Sequence, residues 1–221
     1  MKPGFDIDFG LMLVTDRALA GGRPIVEVVA AAVRGGATVV QLREKTASTR
    51  EFVELGRRVH EVLAPFRVPL LINDRVDVAL AVLAEGVHLG QGDMDVADAR
   101  RLLGPAAIIG RTVETMAQAT AADRSEADYL GVSPVFPTPT KTDTGPAWGT
   151  EGLWRLRPIV RKPLVAIGGI NEMNAARVLE AGAEGIAVVS AICAAPDPEA
   201  TARRLREIVD RHRRTKKATR P

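Results

Sequence analysis

Eight short apolar runs, each rich in β-branched residues and separated by stretches with helical spacing, constrain the fold of this 221-residue chain more than any other feature. The runs are Leu11 to Thr15, Thr38 to Leu42, Val68 to Ile72, Gly86 to Leu89, Ala107 to Gly110, Tyr129 to Val132, Leu164 to Ile167 and Gly185 to Val189. They do not alternate polar with apolar, so each strand has to be buried on both faces, as in a parallel sheet covered by helices. Between them apolar residues recur at helical intervals. Examples are Ile25, Val28, Val29 and Ala32, and Phe52, Leu55, Val59 and Val62, the latter opened by a Ser48/Glu51 capping box. Eight strands alternating with helices in a chain of this length predict an α/β fold, a single (β/α)8 TIM barrel over residues 1–221. A doubly wound sheet is the structural competitor, but no Gly-x-Gly-x-x-Gly follows an early strand.

No linker or shift in composition divides the chain, which reads as one domain. The single Cys193 allows no internal disulfide and reads as a small buried apolar residue in a reducing compartment. No apolar run approaches the roughly 18 residues needed to span a bilayer, and Met1 to Gly10 lacks a basic segment followed by an apolar one. A cytoplasmic protein with no membrane partner is expected. The formal charge of +3 is concentrated at one end: from Arg203 onward nine Lys or Arg face only Glu207 and Asp210, which leaves the rest of the chain at about −4. Residues 203–221 are expected to form a basic helix end running into a mobile tail. Without interleaved aromatics this is a solvated face, and no nucleic-acid partner is expected.

In such a barrel the chemistry sits at the C-terminal ends of the strands. After the second run, Gln41, Arg43 and Lys45 share one side of an extended segment. After the third come Asn73 and Asp74, and after the fourth His88, Gln91 and Asp93. Neighbouring strands lie about 5 Å apart, so Asp74 and Asp93 can share one hard cation, although either alone reads better as a helix cap. His88 reads as a packed or hydrogen-bonding residue rather than a ligand. Gly110, Arg111 and Thr112 follow the fifth run, and Thr112 offers a hydroxyl. The sixth leads into Ser133-Pro134-Val135-Phe136-Pro137-Thr138-Pro139-Thr140-Lys141, where prolines stiffen a loop carrying hydroxyls and an ammonium, a design suited to an anion. Gly168 and Gly169 after the seventh run, with Val189 and Ser190 at the eighth, would supply a backbone N–H cradle for a phosphate. Two anion subsites result, one with cations and carboxylates and one with neutral N–H groups, which fits transfer of a group from a diphosphate to an acceptor bearing a monophosphate.

Val40-Gln41-Leu42-Arg43-Glu44-Lys45, Ile72-Asn73-Asp74-Arg75, Gly86-Val87-His88-Leu89-Gly90-Gln91 with Asp93, Thr138-Pro139-Thr140-Lys141, Ala166 to Ile170 and Val188 to Ile192 together resemble the thiamine-phosphate synthase (thiamine-phosphate pyrophosphorylase) family, in family order. The resemblance implies a transferase of thiamine biosynthesis. It would join 4-amino-2-methyl-5-(diphosphooxymethyl)pyrimidine to a thiazole phosphate, giving thiamine phosphate and pyrophosphate by a dissociative route with Mg²⁺. Carried over at matching positions, the substrate-binding residues are Gln41, Leu42, Arg43, Glu44, Lys45, Asn73, Thr112, Thr138, Pro139, Thr140, Lys141, Gly169, Val189 and Ser190. Of these, Gln41, Arg43, Lys45, Asn73 and Lys141 would hold the pyrimidine diphosphate, and Thr138, Thr140, Gly169, Val189 and Ser190 would meet the thiazole phosphate. Arg43, Lys45 and Lys141 would be catalytic, and Asp74 and Asp93 would hold Mg²⁺. Thr112 stands where relatives often have Ser.

The chain departs from the pattern at Glu114, where many relatives have His nearby, and from Thr142 to Gly152, including Trp148. A paralogous thiazole tautomerase would share the barrel and the phosphate cradle but needs no diphosphate site. A ligand-binding barrel without catalysis would keep the monophosphate site alone. Retention of Lys45, Asp74, Asp93 and Lys141 argues against both. A homo-oligomer is compatible with the sequence but not specified by it.

Overall fold

The computed structural model describes residues 7–138 and 145–218, with side chains through Lys216. Each apolar run forms a strand: β1 (Leu11–Val14), β2 (Val39–Leu42), β3 (Leu70–Asn73), β4 (Gly86–Leu89), β5 (Ile108–Val113), β6 (Tyr129–Val132), β7 (Leu164–Ile167) and β8 (Gly185–Val188). All pair in parallel in chain order, and β1 also pairs with β8, Leu11 opposite Ile186 and Leu13 opposite Val188, so the sheet closes. The helices are α1 (Ile25–Arg34), α2 (Thr49–Leu63), α3 (Val76–Val82), α4 (Val96–Leu103), α5 (Met116–Arg124), α6 (Gly149–Leu156), α7 (Ala175–Glu180), α8 (Ser190–Cys193) and α9 (Pro198–Ala218). The Ser48/Glu51 capping box opens α2 as expected, and side chains of Asp95 and Thr115 cap α4 and α5.

Closure explains why the runs are apolar on both faces. Leu11, Leu13, Val40 and Leu42 point outward into the shell shared with the helices, while Met12, Val14, Val39 and Leu71 point inward with Ile108, Val165 and Ala187. Each fully buried aliphatic side chain contributes about 1.5–3 kcal/mol. β5 runs two residues past Thr112's neighbour Arg111, to Val113, rather than ending at Gly110. The ladder on both sides, to β4 through Arg111 and to β6 through Val113, outweighs the polar character of Arg111 and Thr112.

The N-terminal face of the barrel carries a repeated clasp. The residue preceding each even-numbered strand accepts a hydrogen bond from an amide at the start of the odd strand before it: Thr38 from Leu11 at 3.0 Å, Glu85 from Leu70 at 2.8 Å, Asp128 from Ile109 at 2.8 Å and Glu184 from Leu164 at 2.8 Å. The three acids are in turn held by His60, Arg100 and Arg157.

α9 packs on α1, α7, α8 and β1, burying Leu205 and Val209. Four of its basic residues are paired within the molecule. Asp8 bridges Arg206 at 2.7 Å and Arg213 at 2.6 Å, Arg203 pairs with Glu199 and Arg204 with Glu172. The basic end is helical through Ala218, and residues 219–221, where the expected tail falls, lie outside the described residues.

A Cβ at Gly86 would lie 1.8 Å from the Ile108 carbonyl oxygen, against rigid backbone. Gly86→Ala is therefore expected to destabilise the protein by at least about 3 kcal/mol in urea unfolding, whereas Gly92→Ala, with open space around the new methyl, should stay within about 1 kcal/mol of wild type. Similar midpoints for the two variants would contradict this packing.

Candidate active site

The barrel interior changes character along the strands. Inward residues run Val39, Gln41, Arg43 from β2; Leu71, Asn73 on β3; and Ile108, Gly110, Thr112 on β5. Apolar side chains plug the lower half, and the polar ones open onto a cavity at the C-terminal mouth.

On the β2–β4 side, Lys45 Nζ donates to Asp74 Oδ2 at 2.6 Å and Arg43 Nη1 to Asp16 Oδ2 at 3.0 Å. Asp74 has a φ of 64°, a left-handed conformation that Asp tolerates better than most residues, and its N–H donates to the His88 carbonyl. That turn brings its carboxyl beside Asp93, whose Oδ2 accepts from the Gly90 N–H at 2.6 Å. The neighbours drive each other's pKa apart. Burial would raise Asp74, but the hydrogen bond and charge of Lys45, helped by the Asp93 carboxyl, hold it below the usual carboxylate range. Asp93 has no such cation in hand: burial, then the Asp74 carboxylate, push it above that range.

On the β7–β8 side, Gly168 and Gly169 have φ of 104° and 65°. A Cβ on either would come within 2.9 Å of Pro134 or Phe136, and the backbone is zipped here by Val135 N–H to Ile167 O and Phe136 N–H to Gly168 O. The two glycines thus let the proline-rich segment after β6 lie against β7, which carries Thr138 to the mouth opposite Val189 and Ser190. The floor between the two sides is polar: His88 Nδ1 lies 2.7 Å from Tyr129 Oη and Nε2 lies 2.8 Å from Thr112 Oγ1.

Of the residues singled out from sequence, the cavity brings together Gln41, Arg43, Lys45, Asn73, Asp74, Thr112, Thr138, Gly169, Val189 and Ser190. Asp93 stands immediately behind, at Gly90. Two side chains of the Gln41–Lys45 segment face elsewhere, because successive residues of an extended chain point to opposite sides: Leu42 is buried in the helix-facing shell, and Glu44 binds the Arg17 guanidinium at 3.0 and 3.2 Å. Pro139, Thr140 and Lys141 lie outside the described residues. His88 is hydrogen-bonded, as expected. Tyr129 and Asp16 went unnoticed; an inward position two residues before Gly131 was the available signal for Tyr129, whereas Asp16 meets Arg43 only through strand pairing. Cys193 is buried, its thiol pushed up to about 11 by desolvation, and does not line the cavity.

A family model described as thiamine monophosphate synthase matches residues 11–192, spanning every strand and every element that lines the cavity. The chain belongs to this family. It is an enzyme of thiamine biosynthesis, a transferase that forms thiamine phosphate. The chain is 58% identical over 200 residues to a thiamine-phosphate synthase from Albidiferax ferrireducens, covering 90% of this chain and 91% of that one. It is 52% identical over 205 residues to one from Syntrophomonas wolfei, covering 93% and 98%. Its fold matches a solved thiamine phosphate pyrophosphorylase from Pyrococcus furiosus with a TM-score of 0.85 at 42% identity, over 93% of this chain and 98% of that one.

The displaced pKa of Asp93 has a consequence for stability. A carboxyl whose folded-state pKa exceeds its unfolded value costs stability once pH rises above about 4, where the unfolded chain has already lost the proton. Asp93→Asn keeps an acceptor for the Gly90 N–H and removes the charge. Without divalent cations at pH 7 it is expected to raise the urea midpoint, with the gain disappearing below pH 4; a lower midpoint would contradict the electrostatic assignment.

Proposed function

We propose that this enzyme joins 4-amino-2-methyl-5-(diphosphooxymethyl)pyrimidine to a thiazole phosphate, with pyrophosphate as the leaving group. The observation that carries the proposal is the division of the mouth into a charged side and a neutral, glycine-rich side. Arg43, Lys45 and Asn73 would hold the diphosphate, joined by Lys141. Thr138, Gly169, Val189 and Ser190 would receive the monophosphate, with Pro139 and Thr140.

Asp74 and Asp93 fit Mg²⁺. Among the described residues no cluster of three or more His, Cys, Asp or Glu could hold a metal, and two adjacent carboxylates suit an ion that keeps water and takes its remaining oxygens from phosphates. When bound, Mg²⁺ would neutralise part of the diphosphate charge. The reaction is proposed to be dissociative. The C–O bond to the diphosphate breaks with its electron pair leaving on pyrophosphate, the pyrimidine amino group stabilises the resulting cationic carbon, and the thiazole nitrogen then forms the new C–N bond. Arg43 and Lys45 act on the charge that develops on pyrophosphate. In the present state Lys45 neutralises Asp74, so an arriving diphosphate would find the cation already in position. The apolar walls from Met12, Val14, Ile167 and Ala187 keep water from the cationic carbon. A cytoplasmic location belongs to the same proposal; among the described residues no helix is long and apolar enough to cross a membrane.

The reading is tested by pyrophosphate release from the purified protein given the pyrimidine diphosphate, with and without the thiazole phosphate and Mg²⁺. Release that requires all three, with thiamine phosphate formed in equal amount, is expected; release without the thiazole phosphate, or none from folded protein, would refute it. Asp93→Ala and Lys141→Ala should each lower turnover at least about 100-fold with folding intact, a loss of about 2.7 kcal/mol in transition-state stabilisation. Turnover like that of wild type in both variants would overturn the assignment of these residues.

A further inference from the structure

Three consecutive residues after β1, Thr15, Asp16 and Arg17, reach across to the residues that follow β2 and hold them. Thr15 is fully buried, and its hydroxyl grips the backbone of Arg43 at both polar groups, accepting from the N–H at 2.9 Å and donating to the carbonyl at 3.4 Å. Asp16 takes the side chain of the same residue, its Oδ2 accepting from Arg43 Nη1 at 3.0 Å. Arg17 completes the set with two hydrogen bonds to Glu44, at 3.0 and 3.2 Å.

Asp16 is itself fixed. Its Oδ1 accepts from the Leu19 N–H at 3.1 Å and its carbonyl from the Ala20 N–H at 3.2 Å, so the turn after β1 sets the carboxylate in place. Arg43 lines the cavity and Asp16 does not. One N–H of Nη1 goes to Asp16, and the other donors of the planar guanidinium have no partner among the described residues, which leaves them for an anion in the cavity. Lys45 stands differently. Its side chain is 53% exposed against 22% for Arg43, and its partner Asp74 lines the cavity itself, within reach of whatever binds there. Of the two cations, Arg43 is therefore the one fastened from behind. An arginine free to turn would have to be ordered by the arriving anion, which weakens binding by about two- to tenfold. Arg43 has that ordering done in advance.

We propose that Asp16 is a positioning residue that acts through Arg43, holding the guanidinium in one place so that charge developing on the departing diphosphate meets donors already set. The leaving group rests on the reading under Proposed function; the hold of Asp16 on Arg43 does not.

The hold is read by NMR of the arginine side chains in the full-length protein without substrates, with Arg43 assigned by loss of its signals in Arg43→Lys. Resolved Nη resonances, the mark of a guanidinium that does not rotate freely, are expected for Arg43 in wild type and should average in Asp16→Asn. Averaged resonances in wild type would overturn the proposal even if the enzyme made thiamine phosphate, and so would resolved ones in Asp16→Asn. The consequence is read in turnover. Asp16→Asn should lower kcat about tenfold and leave the KM for the thiazole phosphate unchanged. Asp16→Ser, which keeps an acceptor for the Leu19 N–H and so preserves the turn, should do the same. Arg17→Gln loosens the same segment without touching Arg43 and should stay within about twofold of wild type. In an Arg43→Gln background Asp16→Asn should cost no more than about twofold further, since the group it acts through is gone. Additive losses, or an equal loss in Arg17→Gln, would overturn the proposal. Failure of the synthase reaction while Arg43 is held in wild type and released in Asp16→Asn would refute the reading of function and leave the hold standing.

Discussion

Closure of the sheet governs what the rest of the molecule can be. Once β1 pairs with β8 there is no edge strand, and every residue of every strand faces either the helices or the lumen. The outward set is apolar apart from Arg111 on β5, because eight strands share one helical shell. The inward set has to fill a narrow tube, and it does so with apolar side chains low in the barrel. On β2 to β5 the last inward positions are released from that duty and carry Gln41, Asn73, His88 and Thr112 to the mouth, while Val14, Ile167 and Ala187 keep the opposite wall apolar. The site is thus a product of packing: a slip of one residue in any strand would send Gln41 or Thr112 into the helix layer and an aliphatic side chain into the cavity.

Most of the charge at the mouth is paired within the protein. Lys45 serves Asp74 and Asp16 serves Arg43, while Asp93 carries an acid that the surroundings would rather keep protonated. Both cations are already paired, and Asp93 is the group left without a countercharge of its own.

The barrel was legible because strands buried on both faces leave dense apolar runs that no amphipathic helix imitates. The extension of β5 was hidden, since Arg111 and Thr112 owe their extended conformation to neighbours on both sides and not to their own propensity. Residues that act alone at a strand end, such as Asn73 and Asp74, were visible as polar breaks after apolar runs. Those that act through a partner far away in the chain were not. Asp16 meets Arg43 across 27 residues and Tyr129 meets His88 across 41, separations that only the register of the closed sheet brings together. The contiguous motif from Gln41 to Lys45 misled in the opposite sense, because adjacency in sequence does not put Leu42 and Glu44 on the face that holds their neighbours.

The clasps on the N-terminal face follow a rhythm of two. Each joins an odd strand to the even strand after it, β1 to β2, β3 to β4, β5 to β6 and β7 to β8, and none of the four bridges the boundaries between those pairs. The chain is in this sense four quarter-barrels, each self-fastened at its base, with the ligand site assembled at the opposite end from all of them. A cut in the loop between β4 and β5 would leave all four fastenings whole and yield two halves that each retain one side of the mouth, the charged side with the first and the glycine side with the second. The line of that cut follows the boundary between the charged and the glycine-rich sides of the mouth.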